Sequence, residues 1–260
     1  MNRGDRRPAT PPLSIHAWMR YSTIESLLSS IQPRSVLEIG VGLGSVGVFL
    51  ARRYDYTGID LDETALATAR DRFRRCGVDP GRLVLGGLEQ VEGREFDLVC
   101  AFEVLEHLED DVAALTEWRS HVAPGGWVAL SVPADPSRFG RADEKAGHYR
   151  RYSRETLSAV LSAAGFSNVS LRNYGFPVGY LLEAGRNAYA KRHMQPADSY
   201  EERTLASGRW LQPPEGAGRA MALISQPLCL LQRPFANREV GTGLVACAQR
   251  PQSEQEPAQV

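Results

Sequence analysis

Val36-Leu37-Glu38-Ile39-Gly40-Val41-Gly42-Leu43-Gly44 is an apolar run that stops in three alternating glycines, with an acid two places before the first. Val36, Leu37 and Ile39 are strand formers suited to burial from both sides. Gly40, Gly42 and Gly44 lack a Cβ, so the chain can turn sharply there against a ligand. The helix expected next, Ser45 to Arg52, would aim its amide end at the bound molecule. A strand that ends in such a turn and feeds a helix is a nucleotide-handling unit, and it sets the fold class as α/β.

Outward from this turn, strand and helix patterns alternate in the way that gives a doubly wound, mostly parallel sheet with helices on both faces. Strands are expected near 34–39, 55–59, 82–86, 96–101, 126–132, 167–174 and 243–248, seven in all. Helices are expected near 14–30, 44–53, 63–75, 109–122 and 154–164, with Asp62, Asp110 and Ser153 placed to cap free amides. Between the last two strands about seventy residues intervene, far beyond an ordinary loop. They hold a helical stretch at Val178 to Lys191, a polar bridge with Gln195-Pro196, and a second helical stretch at Arg219 to Leu231 interrupted by Pro227. The expected organisation is a loose tail over 1–12, a single domain over 13–250, and a frayed polar tail over 251–260. Within the domain, 13–31 is an N-terminal helix and 177–238 a helical insertion that helps roof the acceptor pocket, with an added core layer or a dimer face as the alternative.

The chain has 260 residues, enough to bury roughly three quarters of its unfolded surface, so core size is not limiting. Thirty basic and 31 acidic residues leave a formal net charge of −1, a balance that draws no polyanion and disfavours a nucleic-acid partner. Cys76, Cys100, Cys229 and Cys247 lack paired spacing, which argues against a zinc site or disulfide frame and suits a reducing, cytoplasmic setting. No unbroken apolar stretch is long enough to span a bilayer.

Gly42-Leu-Gly44-Ser-Val-Gly47 also fits the fingerprint of dinucleotide-binding proteins, with Asp60 about where its ribose acid belongs. Three further stretches separate the two readings. Thr57-Gly58-Ile59-Asp60-Leu61-Asp62 is a strand ending in an acid. Glu103-Val104-Leu105-Glu106-His107-Leu108 follows the fourth strand, and Pro124-Gly125-Gly126-Trp127 leads into the fifth. With Glu38-x-Gly40-x-Gly42-x-Gly44 these resemble, in order and spacing, the motifs of the class I S-adenosylmethionine-dependent methyltransferases of small-molecule type, over Val36 to Val132. The resemblance implies a Rossmann-like methyltransferase fold, S-adenosyl-L-methionine as donor, and S-adenosyl-L-homocysteine as product.

It also implies a cofactor set of Glu38, Gly40, Gly42, Gly44, Asp60, Leu61, Gly87, Leu88 and Phe102. Asp60, at a strand end, can accept both ribose hydroxyl protons through its two oxygens. Glu38 would order the cofactor's amino end, or be a buried acid bonded to the glycine-turn amides. Leu61 and Leu88 suit the faces of an adenine ring. The acid that such enzymes often carry before the residue matching Leu88 is missing from Gly86-Gly87-Leu88, which leaves backbone atoms or Glu89 for the adenine amino group.

Transfer from a sulfonium needs alignment and exclusion of water, and a hydroxyl acceptor must also lose a proton. Glu103, Glu106 and His107 share a face if the chain turns helical straight after the fourth strand. His107 and His148, the latter in a loop over the same edge, are the candidate proton acceptors. Tyr21, Glu103, Arg151 and Tyr152 are the expected acceptor contacts. Arg150 is weighed with Arg151 as an anion contact, and Trp18, Tyr180 and Trp210 as further pocket aromatics. Glu103-x-x-Glu106-His107 with a distal His148 is similar to the magnesium arrangement of small-RNA 2′-O-methyltransferases, and its first part to ubiquinone-pathway O-methyltransferases. Magnesium's preference for oxygen over imidazole sets the metal version second.

The fourth strand runs into Ala101-Phe102-Glu103, not the Asn/Asp-Pro-Pro-aromatic motif of enzymes that methylate exocyclic amines, and no Pro-Cys pair offers a nucleophile for cytosine. The reading is a methyltransferase acting on a small-molecule hydroxyl, as monomer or homodimer. Its rivals are amine or carboxyl methylation, a metal-assisted RNA 2′-O-methyltransferase, and a non-catalytic cofactor-binding partner module.

Overall fold

A computed structural model describes residues 9–193 and 213–252, with side chains left out for 190–193. Trp210, Gln195-Pro196 and the outer parts of both expected tails lie outside the described residues.

The elements in chain order are α1 (Ile15–Ile31), β1 (Ser35–Ile39), α2 (Ser45–Ala51), β2 (Asp55–Asp60), α3 (Glu63–Arg75), β3 (Leu83–Leu85), β4 (Phe96–Phe102), α4 (Asp111–Arg119), β5 (Val122–Pro133), α5 (Arg141–Ala146), α6 (Arg154–Ala163), β6 (Ser167–Tyr174), α7 (Val178–His193), α8 (Gly218–Gln232) and β7 (Gly243–Gln249). The seven strands form one sheet in the order β3-β2-β1-β4-β5-β7-β6. All neighbours pair in parallel except β7, which runs antiparallel between β5 and β6. The chain builds outward from β1 to β3, then returns to β4 on the other side of β1. That reversal leaves a crevice beyond the carboxyl ends of β1 and β4.

Local chemistry explains most boundaries. Asp62 accepts from the amides of Thr64 and Ala65 and starts α3. Asp110 accepts from Ala113, and Ser153 from Thr156, at the starts of α4 and α6. β5 begins at Val122 rather than 126, because Pro124-Gly125-Gly126 does not end the strand. Its pairing with β4 slips between Phe96 and Leu98, and Gly125 there takes a φ of +78°. The extra residues are absorbed as an irregularity in the ladder. Pro227 does not break α8; it lies on the exposed face with Leu223 and Leu230, where water can serve the carbonyl left without its amide partner.

Two apolar clusters lie on opposite faces of the sheet, and the alternation of β1 splits between them: Val36 joins α1, α2 and α3, while Leu37 joins α4 and α6. Each fully buried Leu or Phe adds about 1.5–3 kcal/mol by its removal from water. All four cysteines are buried and unbridged. Among the described residues no helix is long and apolar enough to cross a membrane.

Residues 9–12 depart from the expected loose tail. Pro11 and Pro12 are buried, Ser45 donates to the Pro12 carbonyl, and Arg52 to that of Ala9. The insertion divides in two. α8 packs on α1, where Gln232 donates to the Met19 carbonyl and accepts from the Gly175 amide. α7 packs instead on α5.

Candidate functional site

The glycine turn lies at the crevice. Gly40 has a φ of +74°, and a Cβ there would sit 2.6 Å from Val104 Cγ2, so its bare backbone serves close packing within the protein. Gly42, with a φ of +54°, would direct a Cβ into open space, the side from which a ligand can approach the backbone. Gly44 closes the turn as the N-cap of α2. Asp60 ties this turn to β2: one oxygen accepts from the Gly42 amide at 2.6 Å, the other from the Asp62 amide at 2.8 Å. Each carboxylate oxygen keeps a lone pair for a ribose hydroxyl. Leu61, the next residue, is 78% exposed, an apolar side chain left open at the crevice rim.

Glu38 is buried on β1 and accepts from the Tyr56 hydroxyl at 2.5 Å. Tyr56, not the glycine-turn amides, is the partner among the described residues. Burial pushes the Glu38 carboxyl up to about 8, against the downward pull of that hydroxyl. Leu88 packs half-buried on the α4-side cluster, while Glu89 folds back to accept from the Gly87 amide at 2.8 Å. Phe102 is buried in the α1-side cluster at the end of β4.

Beyond β4 the expected shared helical face does not form. Glu103 adopts a left-handed φ of +58°, and only a single tight turn, Leu105–His107, follows. Glu103 therefore parts from Glu106. Its Oε1 accepts from Ser131 Oγ at 2.9 Å and the Tyr174 hydroxyl at 3.2 Å, and pairs with Arg20 Nη1 at 3.3 Å. Burial acts upward on this carboxyl but is outweighed by Arg20, His16 and the Ser131 hydroxyl, which hold it below the usual range. α1 thus reaches the site through His16 and Arg20, which the sequence reading missed. His16 bonds Thr242 Oγ1 at 2.8 Å, and burial lowers its pKa to about 4.

Glu106 is fully buried, and neither oxygen has a hydrogen-bond partner among the described residues. Burial, then the neighbouring Glu103 charge, pushes its carboxyl well above the usual range. His107 and His148 stand beside it, edge to face. His107 Nδ1 meets the Gly147 carbonyl at 3.0 Å, and burial, then His148, lowers its pKa to about 4. His148 Nδ1 meets Asp143 Oδ1 at 3.0 Å, and its Nε2 lies 4.0 Å from Glu106 Oε1. With Asp143 ionised, the hydrogen-bond network assigns the proton to Nδ1 and leaves Nε2 as the acceptor. Asp143 also takes Arg151 Nε at 3.0 Å, Arg151 Nη2 at 2.7 Å and the Gly140 amide at 2.9 Å. Burial opposes ionisation of Asp143, yet His148 and Arg151 hold its carboxyl far below the ordinary range. Sequence reasoning missed Asp143 because α5 is short and polar and shows no apolar stripe; its place five residues before His148 was the available signal.

Three expected acceptor contacts are engaged in structure instead. Tyr21 is buried and stacks on Phe49 with ring centroids 4.5 Å apart, fixing α1 to α2. Arg151 is spent on Asp143 and Glu183. Tyr152 is buried and donates to Asp111 Oδ2 at 2.9 Å, which Arg150 also meets at 2.9 Å. Trp18 packs edge-on against Phe49, and Tyr180 accepts from the Gly241 amide at 2.9 Å under the Arg138 guanidinium.

Glu106, His107 and His148 each offer a ligand atom within 4.8 Å of the others, a spacing one cation can bridge. Glu103 is not in that group. One carboxylate and two imidazoles suit zinc, iron or manganese better than magnesium, which seeks six oxygens.

A family described as "Methyltransferase domain" matches residues 16–171, more than half of the chain, ending before α7. A ubiquinone biosynthesis O-methyltransferase of Bordetella avium is 34% identical over 117 residues, covering 44% of this chain and 48% of the relative. One of the same name from Nitrosomonas europaea is 29% identical over 117 residues, covering 44% and 50%. The chain spans about half the length of the curated relatives it matches. The N-methyltransferase NodS of Bradyrhizobium japonicum, solved with S-adenosyl-L-homocysteine, superposes with a TM-score of 0.55 over 92% of this chain and 89% of that one, at 19% identity. With its sheet order, glycine turn and strand-end acid, the chain belongs to the methyltransferase-domain family and carries the Rossmann-like fold of the class I S-adenosylmethionine-dependent enzymes.

Proposed function

We propose that this chain transfers the methyl group of S-adenosylmethionine to a hydroxyl oxygen of a small-molecule acceptor, with His148 as general base. The observation that carries this reading is the bond from His148 Nδ1 to the buried Asp143 carboxylate. A carboxylate in that position holds the tautomer and stabilises the imidazolium formed when Nε2 takes a proton. The acceptor oxygen then attacks the methyl carbon, the carbon–sulfur pair returns to sulfur, and S-adenosylhomocysteine leaves with the donor's positive charge cancelled. Asp60 would hold the ribose, Leu61 and Leu88 the adenine, and Glu38 the amino end of the donor. The names of the curated relatives support oxygen as the acceptor atom. Against an RNA acceptor, Arg72, Arg138, Arg150 and Arg151 are each paired with a carboxylate and so are not offered to phosphates.

Incubation of the enzyme with a deuterated methyl donor and a mixture of catechols, phenols, amines and carboxylic acids tests this reading by mass spectrometry. Label on a hydroxyl oxygen is expected; label on nitrogen or carboxylate overturns it. The Glu106–His107–His148 spacing favours one second reading, in which a cation lowers the acceptor's pKa directly. Turnover that is lost on thorough chelation and restored by zinc or manganese would select that version.

A further inference from the structure

Helix α7 belongs to the insertion, beyond the part of the chain matched by the family, yet it is joined to the His148 assembly by buried charge. Glu183 on α7 is 6% exposed. Its Oε1 lies 2.5 Å from Arg151 Nη1, and its Oε2 accepts from Arg138 Nε at 3.0 Å and Nη2 at 2.5 Å. Tyr180, one turn earlier on α7, lies under the Arg138 guanidinium at 4.3 Å, so one face of α7 seats both residues on Arg138.

Arg151 is the junction. Its Nε and Nη2 form a two-point contact with Asp143, while Nη1 faces Glu183 and, more distantly, the Ala134 carbonyl at 3.3 Å. Asp143 Oδ1 is shared between Arg151 Nε and His148 Nδ1. The assembly balances two carboxylates against two guanidinium groups while His148 is neutral. Without the Glu183 charge, Arg151, which is 1% exposed, cannot turn to water and would draw on Asp143 alone. The hold of Asp143 on His148 would weaken, since a buried cation claims the nearest charge available to it.

We infer that Glu183 is a positioning residue: by holding Arg151, it lets Asp143 orient His148, so the base is set for proton transfer only when α7 of the insertion is seated. This rests on the reading of His148 as base.

The test uses the full-length protein with nitrogen-labelled histidine, in which the His148 Nδ1 proton gives a low-field NMR resonance assigned by its loss in His148→Ala. Glu183→Gln is expected to shift or broaden that resonance and to lower kcat about 10-fold, while KM for donor and acceptor stays within about twofold. Glu183→Asp should restore both in part. An unchanged resonance in folded Glu183→Gln overturns the inference, as does an unchanged kcat there when His148→Ala itself loses turnover. Should Glu183→Gln fail to fold, Glu183→Asp, which keeps the charge but draws it back from Arg151, must move the resonance to a smaller extent or the inference falls. Wild-type turnover in His148→Ala with a shifted resonance in Glu183→Gln would instead sink the base assignment and leave the positioning intact.

Discussion

The rings of His107 and His148 meet edge to face with centroids 4.7 Å apart, but their Nδ1 partners differ: the Gly147 carbonyl for the first, the Asp143 carboxylate for the second. Only a carboxylate stabilises an imidazolium by full charge. His148→Ala is therefore expected to lower turnover about 100- to 10,000-fold, and His107→Gln by less than 10-fold, in steady-state assays. Equal losses would show that the two rings act as one unit.

Asp143 has a structural cost attached. Asp143→Asn leaves the Arg151 guanidinium buried with half its partners gone, and is expected to destabilise the fold by about 3–5 kcal/mol in denaturant titrations. A loss under about 1 kcal/mol would show that Glu183 alone satisfies Arg151.

Glu38 predicts a pH effect on stability. Its carboxyl is lifted to about 8 by burial, so between the ordinary glutamate pKa near 4.5 and that value the folded chain keeps a proton that the unfolded chain has released. Stability should fall as pH rises through this window, by roughly 4–5 kcal/mol at most, and be level below it. Glu38→Gln, which can still accept from Tyr56, should flatten the slope between about pH 4.5 and pH 8. A cationic cofactor at this carboxylate would favour the ionised form, so donor binding should tighten over the same range with proton release visible in calorimetry. A slope that persists in the variant assigns the proton elsewhere.

Asp60→Asn should weaken donor binding by about 1.5–3 kcal/mol in calorimetry. The carboxylate already serves the Gly42 and Asp62 amides, and an asparagine would turn a donor against one of them. Unchanged affinity would refute the ribose assignment.

The insertion also reaches the glycine turn. Buried Arg72 donates to the Leu43 carbonyl and to Ser45 Oγ in the glycine turn and pairs with Glu215 ahead of α8. Glu215→Ala should raise the Kd for S-adenosylmethionine about 3- to 10-fold, an increment of roughly 1 kcal/mol for a partly exposed pair. Removal of the whole insertion should weaken donor affinity as well. An unaltered Kd in Glu215→Ala would return the insertion to the acceptor side only.

The glycine turn, the strand-end acid and the helix starts were legible because their parts are local. A strand-to-glycine turn, a strand-end acid and the caps Asp62, Asp110 and Ser153 depend on backbone conformation and on neighbours a few residues away, so chain order alone carries them. The surroundings of the two histidines were not. Glu103 and Glu106 are three residues apart but part company because a left-handed turn sends one to Arg20 of α1 and leaves the other beneath the histidines. Tyr21, Arg151 and Tyr152 were expected as acceptor contacts, and their partners Phe49, Asp143 and Asp111 became visible only through space. The sequence by itself determined the succession of strands and helices, the glycine turn and the position of the insertion, since hydrophobic period and turn chemistry act over short stretches of chain. Only the tertiary structure decided which charged side chains are spent on each other and which face the crevice, because pairing of buried charges depends on approach through space between residues far apart in the chain.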